Sequence, residues 1–286
     1  MPIKMIAMDI DGTLLNSRTE LPRENREAIA EAAARGIEIV LVTGRRFDFA
    51  RPIADQIPPD LHLIVNNGAL IKSKTGETYL RHLLPREIAR RVLLATRDYR
   101  AGAAVVFDRP RERQVISEQI DWDDPARRGY YNRNREFLST MAPLEKCLDD
   151  NEDPIQVMFT GPVVPLRAAM ELLRSLPYAQ DFSLALAEYE TKDFSILDVI
   201  RAGISKGVTL KEWAQRRGIE REAVMAIGDN CNDRDMLEFA GLPVVMGNGV
   251  PELKDRGWAV TLTNDEAGVA QAIRTFVLAR NGCGAS

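Results

Sequence analysis

Short apolar runs alternate with helix-like segments in the first part of the chain. Residues 3–8, 37–42 and 61–65 are largely apolar over the length of a buried strand. Residues 22–35 have a helical pattern of apolar positions, which stops at Gly36. Strands without polar alternation are typical of a parallel sheet covered on both faces, and intervening helices are typical of βαβ units. We therefore predict a parallel sheet with helices packed against it.

The same alternation returns near the end of the chain. Residues 206–217, 233–240 and about 266–278 have helical patterns, and residues 223–227 and 242–246 are apolar runs between them. Residues 282–286 have the composition of a frayed tail. We expect these late segments to belong to the same α/β domain as the first 85 residues.

The middle of the chain has a different composition. Arginine-rich polar stretches at 109–113 and 127–135 separate strand candidates at 103–107 and 155–160 and a helical pattern at 164–176. This texture predicts a second α/β domain inserted into the first. The expected organisation is a discontinuous core at residues 1–85 and 191–286, with an inserted cap domain at 86–190.

Composition excludes several classes of function. The net charge of −4 argues against a general nucleic-acid binder, which normally carries a basic stripe. No uninterrupted apolar stretch is long enough to predict a membrane span, and the short apolar N-terminus is read as a first strand rather than a signal peptide. Cys147, Cys231 and Cys283 are far apart, so no disulfide framework is predicted and a cytoplasmic location is expected.

Histidine is scarce, which limits the metals that the chain can bind. His62 and His82 are the only histidines, so a zinc site with several histidine ligands is not expected. Carboxylate and carbonyl oxygens are the ligands that the chain offers, and they favour Mg²⁺.

The first candidate site is Asp9-Ile10-Asp11-Gly12-Thr13, at the end of the first apolar run. Ligands of open parallel sheets bind beyond the carboxyl ends of the strands. One carboxylate there can react while the other assists, and Gly12 allows the backbone to approach an anion closely. The alternative is a polar strand end followed by an ordinary Asp-Gly turn.

Two further motifs carry groups that suit phosphate. Thr43-Gly44-Arg45 follows the second apolar run, where a hydroxyl and a glycine can form an oxyanion site, although they also fit a simple helix cap. Lys206 begins a predicted helix, a position that the helix dipole disfavours for a cation. A solvated surface lysine is the alternative.

The last motif follows the apolar run at 223–227. The segment from Gly228 to Asp233 contains Asp229, Asn230, Asn232 and Asp233, a group of oxygen ligands suited to a hard cation. A helix N-cap formed by Asp229 or Asn232 is the competing explanation.

The order of these four motifs resembles the haloacid dehalogenase superfamily, and within it the Cof-type branch, subfamily IIB. Asn67-Gly68-Ala69 and Val245-Met246-Gly247-Asn248 are also similar to that branch. The resemblance implies a Rossmann-like parallel-sheet core with an inserted α/β cap that governs substrate specificity. It covers about residues 3–85 and 190–275.

The resemblance also implies roles for individual residues. Asp9 is expected to be the nucleophile and Asp11 the general acid/base. Mg²⁺ is expected at the Asp9 carboxylate, the Asp11 backbone carbonyl and Asp229. The groups expected to hold the phosphoryl oxygens are the Ile10 N–H, Thr43, Gly44, Lys206 and Asn232. Asp233 is expected to orient Lys206 or metal-bound water.

The function implied is a magnesium-dependent phosphatase that hydrolyses small phosphorylated metabolites through an aspartyl-phosphate intermediate. One alternative is a sugar phosphomutase, whose second phosphate would be gripped by Arg127, Arg128, Arg133 and Arg135. Another is a non-catalytic phospho-acceptor or ligand-binding module, although such a module has no need of Asp11. The expected partner is a small phosphorylated substrate, and the chain is expected to be a monomer or a small homo-oligomer without nucleic-acid or membrane partners.

Overall fold

The structure is a computed structural model that describes residues 1–123, 128–189 and 193–279. The chain divides into two compact units, Met1–Arg81 together with Ile204–Ser286, and His82–Gly203. The second unit extends beyond residue 190, where the inserted domain was expected to end, because the strand at Phe194–Arg201 pairs within its sheet. The tail predicted at 282–286 lies outside the described residues.

Each apolar run of the first unit corresponds to a strand, and the structure adds further strands elsewhere in the chain. In chain order they are β1 (Met5–Met8), β2 (Glu38–Val42), β3 (His62–Val65), β4 (Leu70–Ser73), β5 (Thr78–Arg81), β6 (Ala103–Val106), β7 (Val115–Ser117), β8 (Leu138–Thr140), β9 (Gln156–Gly161), β10 (Phe182–Tyr189), β11 (Phe194–Arg201), β12 (Val224–Gly228), β13 (Leu242–Val245) and β14 (Ala259–Val260). The strands predicted from the runs at 3–8, 37–42, 61–65, 223–227 and 242–246 are confirmed.

The helices separate most of these strands. They are α1 (Arg23–Ala34), α2 (Phe47–Ala54), α3 (Arg86–Ala95), α4 (Arg128–Asn134), α5 (Val163–Ser175), α6 (Lys206–Arg216), α7 (Arg234–Phe239), α8 (Pro251–Lys254) and α9 (Gly268–Ile273). The helix predicted at 266–278 is divided into a 3₁₀ turn, α9 and a final π-helical turn. Among the described residues, no helix combines the length and the apolar character needed to cross a membrane.

The sheet of the first unit has the strand order β14-β13-β12-β1-β2-β3-β4-β5. The strands from β14 to β3 are parallel, whereas β4 and β5 extend the sheet as an antiparallel edge. β1 lies centrally, with Met5 in register with Val224 on one side and Glu38 on the other. The predicted parallel sheet is therefore confirmed, with an antiparallel extension that the sequence did not predict.

The core of the first unit explains why its strands are apolar throughout. Met5, Ala7, Val40 and Val42 on one face of the sheet are buried in a cluster that also contains Trp213 of α6. The alternate residues of β1 and β2, whose side chains lie on the opposite face of the sheet, are also buried. Because both faces are covered, polar residues are confined to the ends of these strands.

The sheet of the second unit has the order β10-β11-β9-β6-β7-β8. Its neighbouring strands are antiparallel except for β7 and β8. One face is covered by α3 and α5, whose Val92, Leu93 and Leu173 pack in a cluster with Phe159 and Leu197. The unit is thus a mixed α/β domain, and the helix predicted at 164–176 corresponds to α5.

Candidate active site in the first unit

Four parallel strands of the first unit end at the same edge of the sheet. Asp9 follows β1, Thr43 follows β2, Asn66 follows β3 and Asp229 follows β12. The carboxyl ends of parallel strands meet at one edge, which is where open α/β sheets bind ligands. The topology therefore brings together residues that are up to 220 positions apart in the sequence.

The loop after β1 is a tight turn that faces the loop after β12. The Leu15 N–H donates to the Ile10 carbonyl at 3.0 Å and closes the turn. Gly12 has a φ of +78°, and a Cβ there would collide with the Asp229 carboxylate. The Thr13 hydroxyl donates to Asp229 Oδ1 at 2.8 Å. Gly12 is required here both for its backbone conformation and for the space that Asp229 occupies.

Lys206 lies at the centre of the site and is almost fully enclosed, with 2% of its surface exposed. It is the first residue of α6, and the Ser205 hydroxyl caps that helix by accepting from the Val208 N–H. The Lys206 ammonium donates to Asp9 Oδ1 and to Asp233 Oδ1, each at 2.6 Å. A surface lysine, the alternative explanation from sequence, is therefore wrong for this position.

Asp233 joins Lys206 to the loop after β12. Its Oδ1 accepts from Lys206, while its Oδ2 accepts from the backbone N–H groups of Asp229 and Asn230 at 3.0 and 3.1 Å. Gly228 makes room for this arrangement, because a Cβ there would lie 2.6 Å from the Asp233 Cβ. Asp233 fixes both the ammonium group and the backbone that carries Asp229.

The electrostatics of the site are those of carboxylates crowded in a buried place. Burial, together with repulsion from Asp233 and Asp11, raises the pKa of Asp9 to about 7 against the opposing attraction of Lys206. Burial and the neighbouring Asp233 also raise the pKa of Asp229 well above its usual value. Burial alone would lower the pKa of Lys206, but the two carboxylates that it contacts outweigh burial and raise it.

Asp11 differs from Asp9 and Asp233 in its partner, which is Arg45 rather than Lys206. Both of its carboxylate oxygens accept from Arg45, with the Nε–Oδ2 and Nη2–Oδ1 distances at 2.6 Å. The pair is partly exposed, with 26% of the Arg45 side chain and 30% of the Asp11 side chain accessible. This two-point contact fixes the direction of the Asp11 carboxylate, and it connects the loop after β1 to the Thr43-Gly44-Arg45 motif.

Thr43, Gly44 and Asn232 are brought together by Asn67. The Asn67 N–H donates to the Thr43 carbonyl at 3.1 Å, and the Asn232 amide donates to Asn67 Oδ1 at 3.4 Å. A Cβ on Gly44 would lie 3.1 Å from Asn67 Oδ1. Asn66 and Asn67 both have positive φ values, 52° and 53°, a conformation that asparagine tolerates better than most residues. The motifs predicted to hold phosphate therefore lie side by side.

The donor set of the site suits a hard divalent cation. Asp9, Asp229 and Asp233 each offer a carboxylate oxygen, and these atoms lie within 4.8 Å of one another. Asp233 already accepts three hydrogen bonds, so Asp9 and Asp229 are the better placed ligands. Burial is the largest cause of the raised pKa values of these two groups and neighbouring carboxylates add to it, and a cation bound there would favour the ionised carboxylates against both effects.

Sequence reasoning missed three residues that the structure places in this network. Thr13 was part of the first motif without a role, Arg45 was named only within its motif, and Asn67 was noted only for its resemblance to the Cof-type branch. Asn67 follows the third apolar run almost directly, and its position at a strand end is the signal that would have identified it. The spacing of Asp11 and Arg45 carries no such signal.

The arginines considered for a second phosphate lie in the second unit. Arg127 and the side chain of Arg133 lie outside the described residues. The Arg135 guanidinium lies 5.0 Å from the centre of the Trp122 ring, a packing contact within the second unit.

Comparison with known proteins identifies the family of this chain. A model of the haloacid dehalogenase-like hydrolase family matches residues 6–273. A proposed phosphatase of Streptococcus pyogenes is 30% identical over 97% of this chain and 100% of its own. The 5-amino-6-(5-phospho-D-ribitylamino)uracil phosphatase YwtE of Bacillus subtilis is 28% identical over 95% of this chain and 97% of its own.

Solved structures give the same result. A haloacid dehalogenase-like hydrolase from Bacillus subtilis superposes with a TM-score of 0.79 and 27% identity, over 96% of this chain and 100% of that one. The family match spans most of the chain, and it includes the segments that form both units. The chain therefore belongs to the haloacid dehalogenase-like hydrolases, among relatives that are named phosphatases.

Proposed function

We propose that this hydrolase is a phosphatase that removes phosphate from small phosphorylated metabolites, with Asp9 as the nucleophile. The observation that carries the proposal is the buried contact of Lys206 with Asp9 and Asp233, next to Asp229. Burying one ammonium among three carboxylates costs folding free energy because the charges are desolvated. Such an arrangement is typical of a functional site. A dianionic phosphoryl group bound there would require positive charge, which Lys206 supplies.

The reaction proceeds in two displacements. A carboxylate oxygen of Asp9 attacks phosphorus, and the bond from phosphorus to the leaving oxygen breaks as that oxygen takes a proton from the Asp11 carboxyl group. Water then attacks phosphorus and gives a proton to the Asp11 carboxylate. The bond from phosphorus to Asp9 breaks, which releases inorganic phosphate. A covalent intermediate of this kind divides one difficult hydrolysis into two easier steps.

The contact with Arg45 orients Asp11 for its role. Each Asp11 oxygen accepts one bond from Arg45 and keeps a second lone pair, so Asp11 can carry a proton to the leaving group with the contact in place. Arg45 therefore holds Asp11 in one orientation between turnovers. The same orientation serves Asp11 as the base for water in the second displacement.

Anchoring of the phosphoryl oxygens falls to groups from the start of α6 and from three loops. Lys206 donates from α6, Asn232 from the turn after β12, and Thr43 with Gly44 from the end of β2. The Ile10 N–H adds a donor from the turn after β1. These groups act on every substrate alike, because each substrate presents the same phosphoryl group.

The residues that would hold Mg²⁺ are the Asp9 and Asp229 carboxylates together with the Asp11 backbone carbonyl. Bound there, the ion would neutralise charge on the phosphoryl oxygens. Asp233 and Thr13 support the site by fixing the backbone and the carboxylate of Asp229.

The substrate class is inferred from the chain's relatives and from the division of its residues. One relative is named for a phosphorylated ribitylaminouracil, a small phosphomonoester with a sugar-like chain. Every residue to which we assign chemistry lies in the first unit. We therefore assign the choice among such esters to the second unit, residues His82–Gly203.

The test is a hydrolysis screen over phosphorylated sugars, nucleotides and cofactor precursors, with Mg²⁺ or with a chelator. We expect inorganic phosphate release that requires Mg²⁺ and is abolished in Asp9→Asn, while circular dichroism of the variant is unchanged. Borohydride trapping during turnover should convert Asp9 to homoserine, which mass spectrometry detects. Steady-state hydrolysis by a clean Asp9→Asn preparation would exclude Asp9 as the nucleophile, and isomerised sugar phosphate without phosphate release would indicate a mutase.

A further inference from the structure

Asn248 connects the nucleophile loop to the C-terminal part of the first unit. Its amide nitrogen donates to the Gly12 carbonyl at 2.8 Å, and its amide oxygen accepts from the Asn264 N–H, also at 2.8 Å. Both ends of one short side chain are thus engaged by backbone groups more than fifteen residues away in sequence. Gly12 lies directly after Asp11, so the contact fixes the peptide next to the acid/base residue.

Two other asparagines hold the same loop in the same way. The Asn25 amide donates to the Leu14 carbonyl at 3.0 Å, and the Asn264 amide donates to the Leu15 carbonyl at 2.9 Å. Asn25 also accepts from the Ala270 N–H at 2.9 Å. The carbonyls of Gly12, Leu14 and Leu15 therefore each accept a hydrogen bond from an asparagine side chain. Asn248 and Asn25 also accept from backbone N–H groups of residues 264–270.

The loop that carries Asn248 also contacts Asp229. The Val250 N–H donates to the Asp229 carbonyl at 2.9 Å, and the Gly249 N–H donates to the Met246 carbonyl at 2.8 Å. One short loop, Met246–Val250, thus touches the backbone on both sides of the proposed metal site. It reaches Asp229 through its main chain and Gly12 through Asn248.

We propose that Asn248 is a positioning residue that sets the distance between the loop of Asp9 and Asp11 and the loop of Asp229. The inference rests on the proposed function, in which the Asp9 carboxylate, the Asp11 carbonyl and Asp229 share one ion. Loss of the Gly12 contact removes the hydrogen bond that joins the nucleophile loop to the Met246–Val250 loop, while the contacts of Leu14, Leu15 and Thr13 remain. Displacements of about 1 Å at a reacting centre cost on the order of 100-fold in rate.

Asn248 is exposed, whereas Asn25 is fully buried. Replacing Asn248 is therefore compatible with folding, which separates a positioning role from a purely structural one. Two variants separate the effects of the two Asn248 contacts. Asn248→Ala removes both, while Asn248→Asp retains an acceptor for the Asn264 N–H and places a carboxylate oxygen against the Gly12 carbonyl. Positioning through Gly12 predicts that both variants are impaired.

The experiment measures turnover, metal binding and loop opening in the full chain. We expect both variants to lower kcat by about 10- to 100-fold with KM close to that of wild type, and to weaken Mg²⁺ binding in calorimetry by a similar factor. In the metal-free protein, amide hydrogen exchange of residues 12–15 should become faster. Gln271→Glu makes the same amide-to-acid change on the exposed surface of α9 and should behave as wild type.

The readouts separate failure of this inference from failure of the proposed function. If wild type hydrolyses phosphomonoesters and both Asn248 variants match it in kcat and in exchange of residues 12–15, Asn248 has no positioning role. A normal Asn248→Asp beside an impaired Asn248→Ala would assign the residue to the Asn264 turn instead. If wild type has no phosphatase activity, the proposed function fails, and the exchange and calorimetry data still test Asn248.

Discussion

The two units use their sheets differently. In the first unit β12, β1, β2 and β3 run parallel, so Asp229, Asp9, Thr43 and Asn66 gather at one edge. In the second unit β10, β11, β9 and β6 are antiparallel, so successive strand ends point to opposite edges. A parallel sheet concentrates polar strand ends into one site, whereas an antiparallel sheet distributes them. We accordingly assign the chemistry of this chain to the unit with the parallel sheet.

The units also differ in where they place charge. Lys206 in the first unit is enclosed together with its Asp9 and Asp233 partners. Ion pairs of the second unit include Arg100 with Glu145, which is partly buried, and Arg174 with Glu171, in which more than half of each side chain is exposed. Buried ion pairs contribute little to net stability because desolvation offsets their attraction. Their presence at the strand ends of the first unit points to function rather than to folding.

The largest expected effect comes from removing the buried charge of the first unit. Lys206→Met should lower kcat by about 100- to 1000-fold, because a donor to the charged phosphoryl oxygens is lost. The loss should be the same factor for every substrate, measured as kcat/KM over several phosphate esters. Lys211→Met, on the same helix and exposed, is the matched control. A Lys206 variant that reorders the substrates would contradict the division of roles between the units.

The next effect concerns the metal. Asp229→Asn keeps a side-chain oxygen for the Thr13 hydroxyl but removes the charge that faces Asp9. Loss of an outer partner of a metal ligand typically costs roughly 10- to 100-fold in affinity or activity, and loss of a charged ligand should cost at least as much. The half-saturating Mg²⁺ concentration should rise accordingly, whereas Asp255→Asn on the surface leaves it unchanged. An unaltered Mg²⁺ titration in Asp229→Asn would mean that the metal lies elsewhere.

Much of this site was predictable because its residues follow apolar runs. Asp9, Thr43 and Asp229 each come directly after a strand of the parallel sheet, so local pattern alone located them. Contacts between distant residues were not predictable in that way. The bond of Asn25 to the Ala270 N–H joins positions 245 residues apart, and the buried side of α1 reads as an ordinary helix face.

The second unit was predicted less completely for a related reason. β6 and β9 are apolar enough to be recognised, whereas β7 and β8 are only three residues long. β10 and β11 include half-buried positions and pair with each other as a hairpin, an arrangement that the arginine-rich texture of the middle segment obscured. Short and partly exposed strands lack the pattern on which sequence analysis depends.

A smaller effect is expected from the sheet face of the second unit that α3 and α5 leave uncovered. Met158 and Ile196 are half-buried there, on the side opposite Phe159 and Leu197. Met158→Ala and Ile196→Ala should change kcat/KM by different factors for different substrates, up to about tenfold, because apolar contacts discriminate only modestly. Val164→Ala on exposed α5 should change nothing. If Met158→Ala and Ile196→Ala changed kcat/KM by the same factor for every substrate, specificity would be assigned to the first unit.

The smallest effect is expected for a surface ion pair of the second unit. Arg174 and Glu171 lie one helical turn apart in α5 at 2.8 Å, with more than half of each side chain exposed. Solvent screens such a pair and ordering two long side chains offsets its attraction, so Arg174→Gln should change the free energy of unfolding by less than about 0.5 kcal/mol. Urea titrations at low and high salt measure this, with Arg174→Lys as the control that keeps the charge. A loss of several kcal/mol at low salt that disappears at high salt would show that surface charges contribute substantially to the stability of the second unit.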